Sequence, residues 1–196
     1  MSAMTVNPPS TAAVHAETLL QRARRQDAGA WAEIYDQYYP RIYAFLLTRV
    51  RDRALAEDLA ADVFVNALRA IASYEDRGFE LAAWLFRIAH NRLTDHLRRT
   101  MVRGSDSLDE LEEEQDISLL AGQDAEPAHG EAMDLRRALE QLNPTQRQVI
   151  HLRFMEGLTS EQVARIMGKS AGAIKILQYR ALKTLKRLLT EKPQSL

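Results

Sequence analysis

The chain has 196 residues, 46% of them hydrophobic and 27% charged, a balance that is ordinary for a globular protein. It contains no cysteine, which excludes disulfides, thiolate metal sites and cysteine nucleophiles. No apolar run approaches the roughly 18 residues of a membrane helix, the N-terminus lacks a secretory signal, and no histidine pair has zinc-protease spacing. We therefore expect a cytoplasmic protein without membrane insertion, metal or cofactor.

The net charge of −1 conceals three segments of very different charge. Residues 1–100 have a net charge of +1, residues 101–134 of −10, and residues 135–196 of +8. A compact basic unit is typical of proteins that bind polyanions. The segment charges therefore favour a nucleic-acid partner, which the average charge alone would not suggest.

The first half of the chain has the apolar periodicity of amphipathic helices. Residues 1–16 lack this period and are rich in small polar residues and proline, which predicts a disordered tail. A helical pattern begins at Glu17, and Pro40 within it either starts a second helix or kinks one long helix. Asp52 is expected to cap the next helix, whose apolar stripe ends at Ile71.

The rest of the chain divides into one more helix, an acidic linker and a second helical unit. A loop is expected over Ser73–Glu80, followed by a helix over Leu81–Arg99. Residues 101–133 hold little that could form a core and predict a flexible acidic linker. Strand signals are nearly absent. The prediction is an all-α fold with two small helical domains, at residues 17–100 and 134–192.

A helix-turn-helix pattern lies in the second domain. Thr159 is expected to cap a short helix, and Gly168 to end it in a left-handed turn. Ser170 caps a second helix, which is rich in lysine and arginine and ends near Leu189. The charge of this domain favours DNA reading over a core with a merely solvated basic face. Residues 168–172 also match a serine-hydrolase elbow, but that motif needs a preceding strand, so no catalytic residue or enzyme activity is expected.

Three stretches in this order and spacing point to a known family. They are Ala56–Leu68, Trp84–Arg99, and Leu142–Ile150 followed by the helix-turn-helix. Together they resemble the extracytoplasmic-function sigma factors, the smallest class of the sigma-70 family. The resemblance implies a subunit of bacterial RNA polymerase that directs promoter recognition, promoter melting and transcription initiation. The first domain then corresponds to sigma region two and the second to sigma region four.

The resemblance implies three binding surfaces. Core polymerase binds a polar face of the second helix, formed by Glu57, Asp58, Asp62 and Asn66. The minus-ten promoter element is read by a loop and a helix, through Tyr74, Asp76, Arg77, Phe79, Arg87, Asn91, Arg92 and Arg98. The minus-thirty-five element is read by the helix-turn-helix, through Lys169, Ser170, Ala171, Lys175 and Arg180. In the family, the loop captures a base flipped out of the duplex.

Two positions depart from the family's pattern. Ala61 stands where glutamine is common, which predicts a weaker or displaced core contact. Ile176 and Leu177 stand where serine and arginine commonly follow the lysine that matches Lys175. Both are expected to face outward, so either minus-thirty-five recognition is altered or this surface meets a protein.

The resemblance also implies partners. They are core RNA polymerase, through its beta-prime clamp helices and beta flap, together with promoter DNA and an anti-sigma factor. Three roles stay open for the acidic linker: an RNA mimic in the polymerase channel, a spacer, or a mask over the second domain. The alternative function is a helix-turn-helix regulator acting without core polymerase, which leaves the region-two motifs without a role.

Overall fold

The computed structural model describes residues 19–50, 52–74, 81–103 and 131–190 of the chain. Within these residues the fold is all helical and contains no β-strand, as the sequence predicts. The predicted N-terminal tail and most of the acidic linker lie outside them. None of the described helices is both long and apolar enough to cross a bilayer.

Seven α-helices follow a short helical segment at residues 19–24. They are α1 (Ala28–Val50), α2 (Arg53–Ala70), α3 (Leu81–Arg103), α4 (Glu131–Glu140), α5 (Pro144–Ile150), α6 (Ser160–Met167) and α7 (Ala171–Thr190). A 3₁₀ turn at Ile71–Ser73 follows α2, and a π-helical turn at His151–Met155 follows α5.

Some of the observed helix ends match those predicted from the sequence, and others do not. α1 runs through Pro40, so the structure shows one long helix rather than two. Asp52 caps α2 as predicted, because its Oδ1 accepts a hydrogen bond from Leu55 N at 3.1 Å. α3 ends at Arg103 rather than near Arg99, and α4 begins before the predicted end of the linker. The helices therefore extend into both ends of the predicted linker.

The first domain is a bundle of α1, α2 and α3 around an apolar core. Phe45 and Phe86 meet edge to face, with ring centroids 5.5 Å apart. Ile34, Ile42 and Leu85 are also fully buried. Burying a side chain of this size contributes roughly 1.5–3 kcal/mol, so the core fixes the direction in which the outer faces of α2 and α3 point.

Arg147 stabilises the turn between α4 and α5, the first corner of the second domain. Its guanidinium donates hydrogen bonds to the carbonyl oxygens of Leu139, Glu140 and Leu142 at 3.1, 2.7 and 2.9 Å. The last carbonyls of a helix lack partners within it, and Arg147 supplies partners at the end of α4. Its Nη1 also donates to Thr48 O of α1 at 2.8 Å, which ties this corner to the first domain.

The two domains pack against each other. α6 lies on α3 and α5 lies on α1, and one apolar core runs through both domains. Leu152, Leu158 and Val163 of the second domain belong to the same buried cluster as Phe45 and Phe86 of the first. The helices predicted to read the two promoter elements therefore belong to one packed body in this structure.

Candidate nucleic-acid interface

The helix-turn-helix is built by three caps, all predicted from the sequence. Thr159 Oγ1 accepts a hydrogen bond from Gln162 N at 3.2 Å, and Gln162 Oε1 accepts one from Thr159 N at 2.7 Å. Gly168 ends α6 with a φ of 65°, a left-handed conformation that favours glycine. Ser170 Oγ then accepts from Ala173 N at 3.1 Å and starts α7. These caps fix the angle at which α7 leaves the turn.

Most of the residues predicted to read the minus-thirty-five element are on the surface. Lys169, Ser170, Lys175 and Arg180 are exposed, whereas Ala171 is half-buried against the core. α7 itself carries no acidic residue. Every charged residue on this helix is therefore basic, which suits contact with phosphates.

The two apolar residues that depart from the family pattern point in different directions. Ile176 is 55% exposed, as expected. The expectation that Leu177 also faces outward is wrong, because Leu177 packs against the core. The next residue, Gln178, accepts a hydrogen bond from Arg153 Nε at 3.1 Å. A helix turns about 100° per residue, so Leu177 is turned that far from Ile176 and reaches the core side while Ile176 stays exposed.

α3 presents a row of polar residues to solvent. Arg87, Asn91 and Arg98 are exposed and lie within about 40° of one another around the helix axis. Arg92 is half-buried and lies about 140° away from Arg87, on another side. The structure thus brings together three of the predicted minus-ten residues on this helix and separates the fourth.

The loop predicted to capture a flipped base is only partly described. Its residues Asp76, Arg77 and Phe79 lie outside the described residues. Tyr74, at the start of the loop, is only 6% exposed, and its ring centroid lies 4.8 Å from that of Trp84. Arg24 lies over the Tyr74 ring and donates a hydrogen bond to its carbonyl oxygen. Tyr74 therefore packs in the core and anchors the loop, instead of offering its ring to a base.

α2 presents the polar face that the resemblance assigns to core polymerase. Glu57, Asp58 and Asp62 are exposed there. Asn66 is half-buried, and its Nδ2 donates to Asp62 O at 2.6 Å, so this amide is engaged within its own helix. Val65, 44% exposed, adds an apolar group to this side of α2.

A ladder of three tyrosines on α1, formed by Tyr35, Tyr39 and Tyr43, lies beside the acidic face. Tyr35 and Tyr39 stack with centroids 4.8 Å apart, and Tyr43 follows at 6.3 Å from Tyr39. Phe64 of α2 contacts Tyr35 at 4.9 Å. Burial raises the pKa of Tyr39, and nearby Tyr35 and Glu57 add to the rise. Sequence reasoning missed this surface, although the spacing of four residues was its signal.

His90 marks the point where the helix-turn-helix meets α3. Its Nδ1 is buried without a hydrogen-bond partner. Burial lowers the pKa of His90, and the charges of Lys169 and Arg49 lower it further. Lys169, in the turn before α7, therefore lies close enough to α3 of the first domain for its charge to affect His90. Among the described residues, no group of three or more histidine or acidic side chains is arranged to hold a metal ion.

Comparison with known proteins identifies the family. Residues 34–102 match the profile of Sigma-70 region 2, and residues 138–187 match Sigma-70, region 4. The RNA polymerase sigma factor CarQ of Myxococcus xanthus is 32% identical over 176 residues, which cover 88% of this chain and 96% of CarQ. The ECF RNA polymerase sigma factor BldN of Streptomyces coelicolor is 37% identical over 173 residues. The chain belongs to the extracytoplasmic-function sigma factors.

The relatives differ in how much of their length this sigma factor matches. The match to BldN covers 88% of this chain but only 65% of BldN. The sigma factor RpoE of Bartonella quintana, in a co-crystal structure with the anti-sigma factor NepR, is 27% identical with a TM-score of 0.65. That match covers 83% of this chain and 98% of RpoE. The two matching family profiles lie in the order that the sequence predicts, region two before region four.

Proposed function

We propose that this sigma factor joins core RNA polymerase through α2 and directs it to promoters through α3 and α7. The observation that carries the proposal is that each domain exposes its own set of polar residues to solvent. Arg87, Asn91 and Arg98 form a row on α3, and Lys175 and Arg180 flank the outward face of α7. A regulator that worked without polymerase would need only the set on α7.

The minus-thirty-five element is read by α7 in the major groove. Lys175 and Arg180 are about 140° apart around the helix axis, so they lie on the two flanks of the outward face. Residues on the flanks of a recognition helix reach phosphates, and residues between them reach base edges. Lys169 and Ser170 add contacts at the turn, near the helix N-terminus.

The minus-ten element is read by α3 and the loop before it. The row from Arg87 to Arg98 is about 16 Å long at 1.5 Å per residue, enough to follow several nucleotides of one strand. Asp76, Arg77 and Phe79 are the candidates for holding a flipped base, with Tyr74 fixing the start of the loop. Stacking and polar contacts offset the few kcal/mol that flipping costs.

Core polymerase docks on the acidic face of α2. Asp58 and Asp62 supply charge, and Val65 and the tyrosine ladder supply apolar area beside it. This composition suits basic helices with an apolar stripe, which supports the beta-prime clamp helices as partner. The beta flap is the proposed partner of the second domain, an anti-sigma factor is a further partner, and the cytoplasm is the compartment. Catalysis belongs to the polymerase, and this chain supplies none.

Promoter binding requires the two domains to separate. The two promoter elements are roughly 25 base pairs apart, which is about 85 Å of duplex. α6 packs on α3 in this structure, so both elements cannot be reached together. The 27 residues between Arg103 and Glu131 reach at most about 97 Å when extended, which allows the required separation.

Reconstitution with purified core polymerase tests the proposal. The chain should co-elute with core and give initiation at one defined site on a promoter selected from a random library. Specific DNA binding in the absence of core, combined with no co-elution, would favour the regulator instead.

A further inference from the structure

A row of three residues occupies the centre of the outward face of α7. Gly172, Ile176 and Tyr179 lie within about 60° of one another around the axis, opposite the buried Ile174 and Ala181. Ile176 is 55% exposed and Tyr179 is 67% exposed. The part of the recognition helix that enters a groove first is therefore apolar.

Gly172 has no structural reason to be glycine. A Cβ at this position would meet only Ser170 Oγ, at an ordinary contact distance of 3.9 Å. Alanine is the more stable residue within a helix, so the fold would gain from a side chain here. A missing side chain is useful where another molecule must approach the helix backbone closely.

The charges around this row indicate what that molecule is. Lys175 and Arg180 lie on either side of Ile176, and α7 carries no acidic residue. The partner must therefore combine two flanking lines of negative charge with an apolar group between them. Duplex DNA has this arrangement, because the phosphates line the major groove and the C5-methyl group of thymine projects into it.

We infer that Ile176 reads the C5-methyl group of a thymine in the minus-thirty-five element, and that Gly172 lets the helix approach the groove closely enough. This rests on the proposed promoter-binding function and deepens it by naming one base contact. Ile176 stands where serine is common in the family, so an apolar contact takes the place of a polar one at this position.

Replacing thymine by deoxyuridine removes only the methyl group and tests the contact directly. Holoenzyme reconstituted from the full chain and core polymerase first selects its minus-thirty-five sequence from a random library. Each thymine is then replaced in turn. At one of them the wild type should lose about fourfold in affinity, the value of one buried methyl group.

Ile176→Ala should bind the thymine and deoxyuridine promoters equally. Leu182→Ala is the matched control, because Leu182 is 42% exposed on the same helix but lies about 120° away from Ile176. It should keep the wild-type preference. If the wild-type holoenzyme initiates normally but loses no affinity at any deoxyuridine, the inference alone is overturned. If the holoenzyme selects no sequence, the proposed function is overturned as well.

Gly172→Ala tests the close approach. The variant should melt at the same temperature as the wild type or higher, yet bind the selected promoter at least threefold more weakly. Unchanged affinity contradicts the role of Gly172. Reduced transcription by Ile176→Ala with an unchanged thymine preference would mean that this row meets a protein, which also overturns the inference.

Discussion

Arg41 of the first domain and Glu156 of the second form an ion pair, with 2.6 Å between Arg41 Nη2 and Glu156 Oε2. His151 Nε2 lies 3.2 Å from the other carboxylate oxygen, and the His151 ring lies 5.7 Å from that of Phe45. Burial raises the pKa of Glu156, but His151 and Arg41 outweigh burial and leave it below its usual value. The junction between the domains is therefore built around a buried, charged carboxylate.

Glu156→Gln should loosen this junction. The change removes the partner of Arg41, and we expect a loss of roughly 1–2 kcal/mol, less than for a fully buried pair because Arg41 is 34% exposed. Because the chain has no cysteine, the double variant Ala54→Cys, Arg137→Cys can be labelled with one fluorophore in each domain. Energy transfer between them should fall in the variant. Glu33→Gln, in the exposed pair with Arg22 of the first domain, is the control and should leave the energy transfer unchanged.

Acid should weaken the same junction. The pKa of Glu156 is lower in the folded chain than its ordinary value of 4.5, so its contribution is complete above about pH 4.5 and is lost as the pH falls through the folded value. Melting temperatures measured from pH 6 to pH 3 should fall more steeply for the wild type than for Glu156→Gln. Parallel curves would show that this carboxylate does not carry the acid response.

His90 should give a separate response at higher pH. Its folded pKa is lowered from 6.5 by burial, and then by Lys169 and Arg49, so below about pH 6.5 the unfolded chain takes up a proton that the folded chain does not. Stability should therefore decline as the pH drops from 7 to 5. His90→Gln should flatten the melting temperature in this window while leaving the response below pH 4.5 in place. A decline that persists in the variant would assign it to other groups.

The local structure was far easier to predict than the packing between domains. Thr159, Gly168 and Ser170 act within four residues of themselves, so their caps follow from short-range chemistry that the sequence shows directly. Arg41 and Glu156 are 115 residues apart, and no period or motif relates them. The apolar period likewise predicted that one face of each helix is buried, but it did not predict the direction of every individual side chain. Leu177 was expected to face outward beside Ile176 and yet packs against the core.

Charge reversal on α2 should separate polymerase binding from folding. Asp58→Lys combined with Asp62→Lys should abolish co-elution with core polymerase, because both carboxylates are exposed on the docking face. Exposed substitutions usually change stability by no more than about 0.5 kcal/mol, so the melting temperature should stay nearly the same. Asp134→Lys, an exposed reversal in the second domain, should leave co-elution intact. A large fall in melting temperature would show that the α2 carboxylates are structural.

Lys175 and Arg180 should each account for one phosphate contact. Holoenzyme binding measured over a series of salt concentrations should show the slope of log K against log salt shrinking by about 0.9 for each alanine substitution. Arg137→Ala, an exposed cation on α4, should leave the slope unchanged. A substitution that instead relaxes the preference for one base, at a cost of about 1–3 kcal/mol, would assign base reading to that residue.

A footprint of the reconstituted holoenzyme on one selected promoter tests the sigma function most directly. We predict two protected segments roughly 25 base pairs apart, at the minus-ten and minus-thirty-five elements. The upstream segment should disappear when Lys175 and Arg180 are replaced by alanine, and strand opening downstream should disappear when Arg87, Asn91 and Arg98 are replaced. A single protected segment, or the same footprint in the absence of core polymerase, would contradict a promoter-recognition subunit with two separable DNA-reading domains.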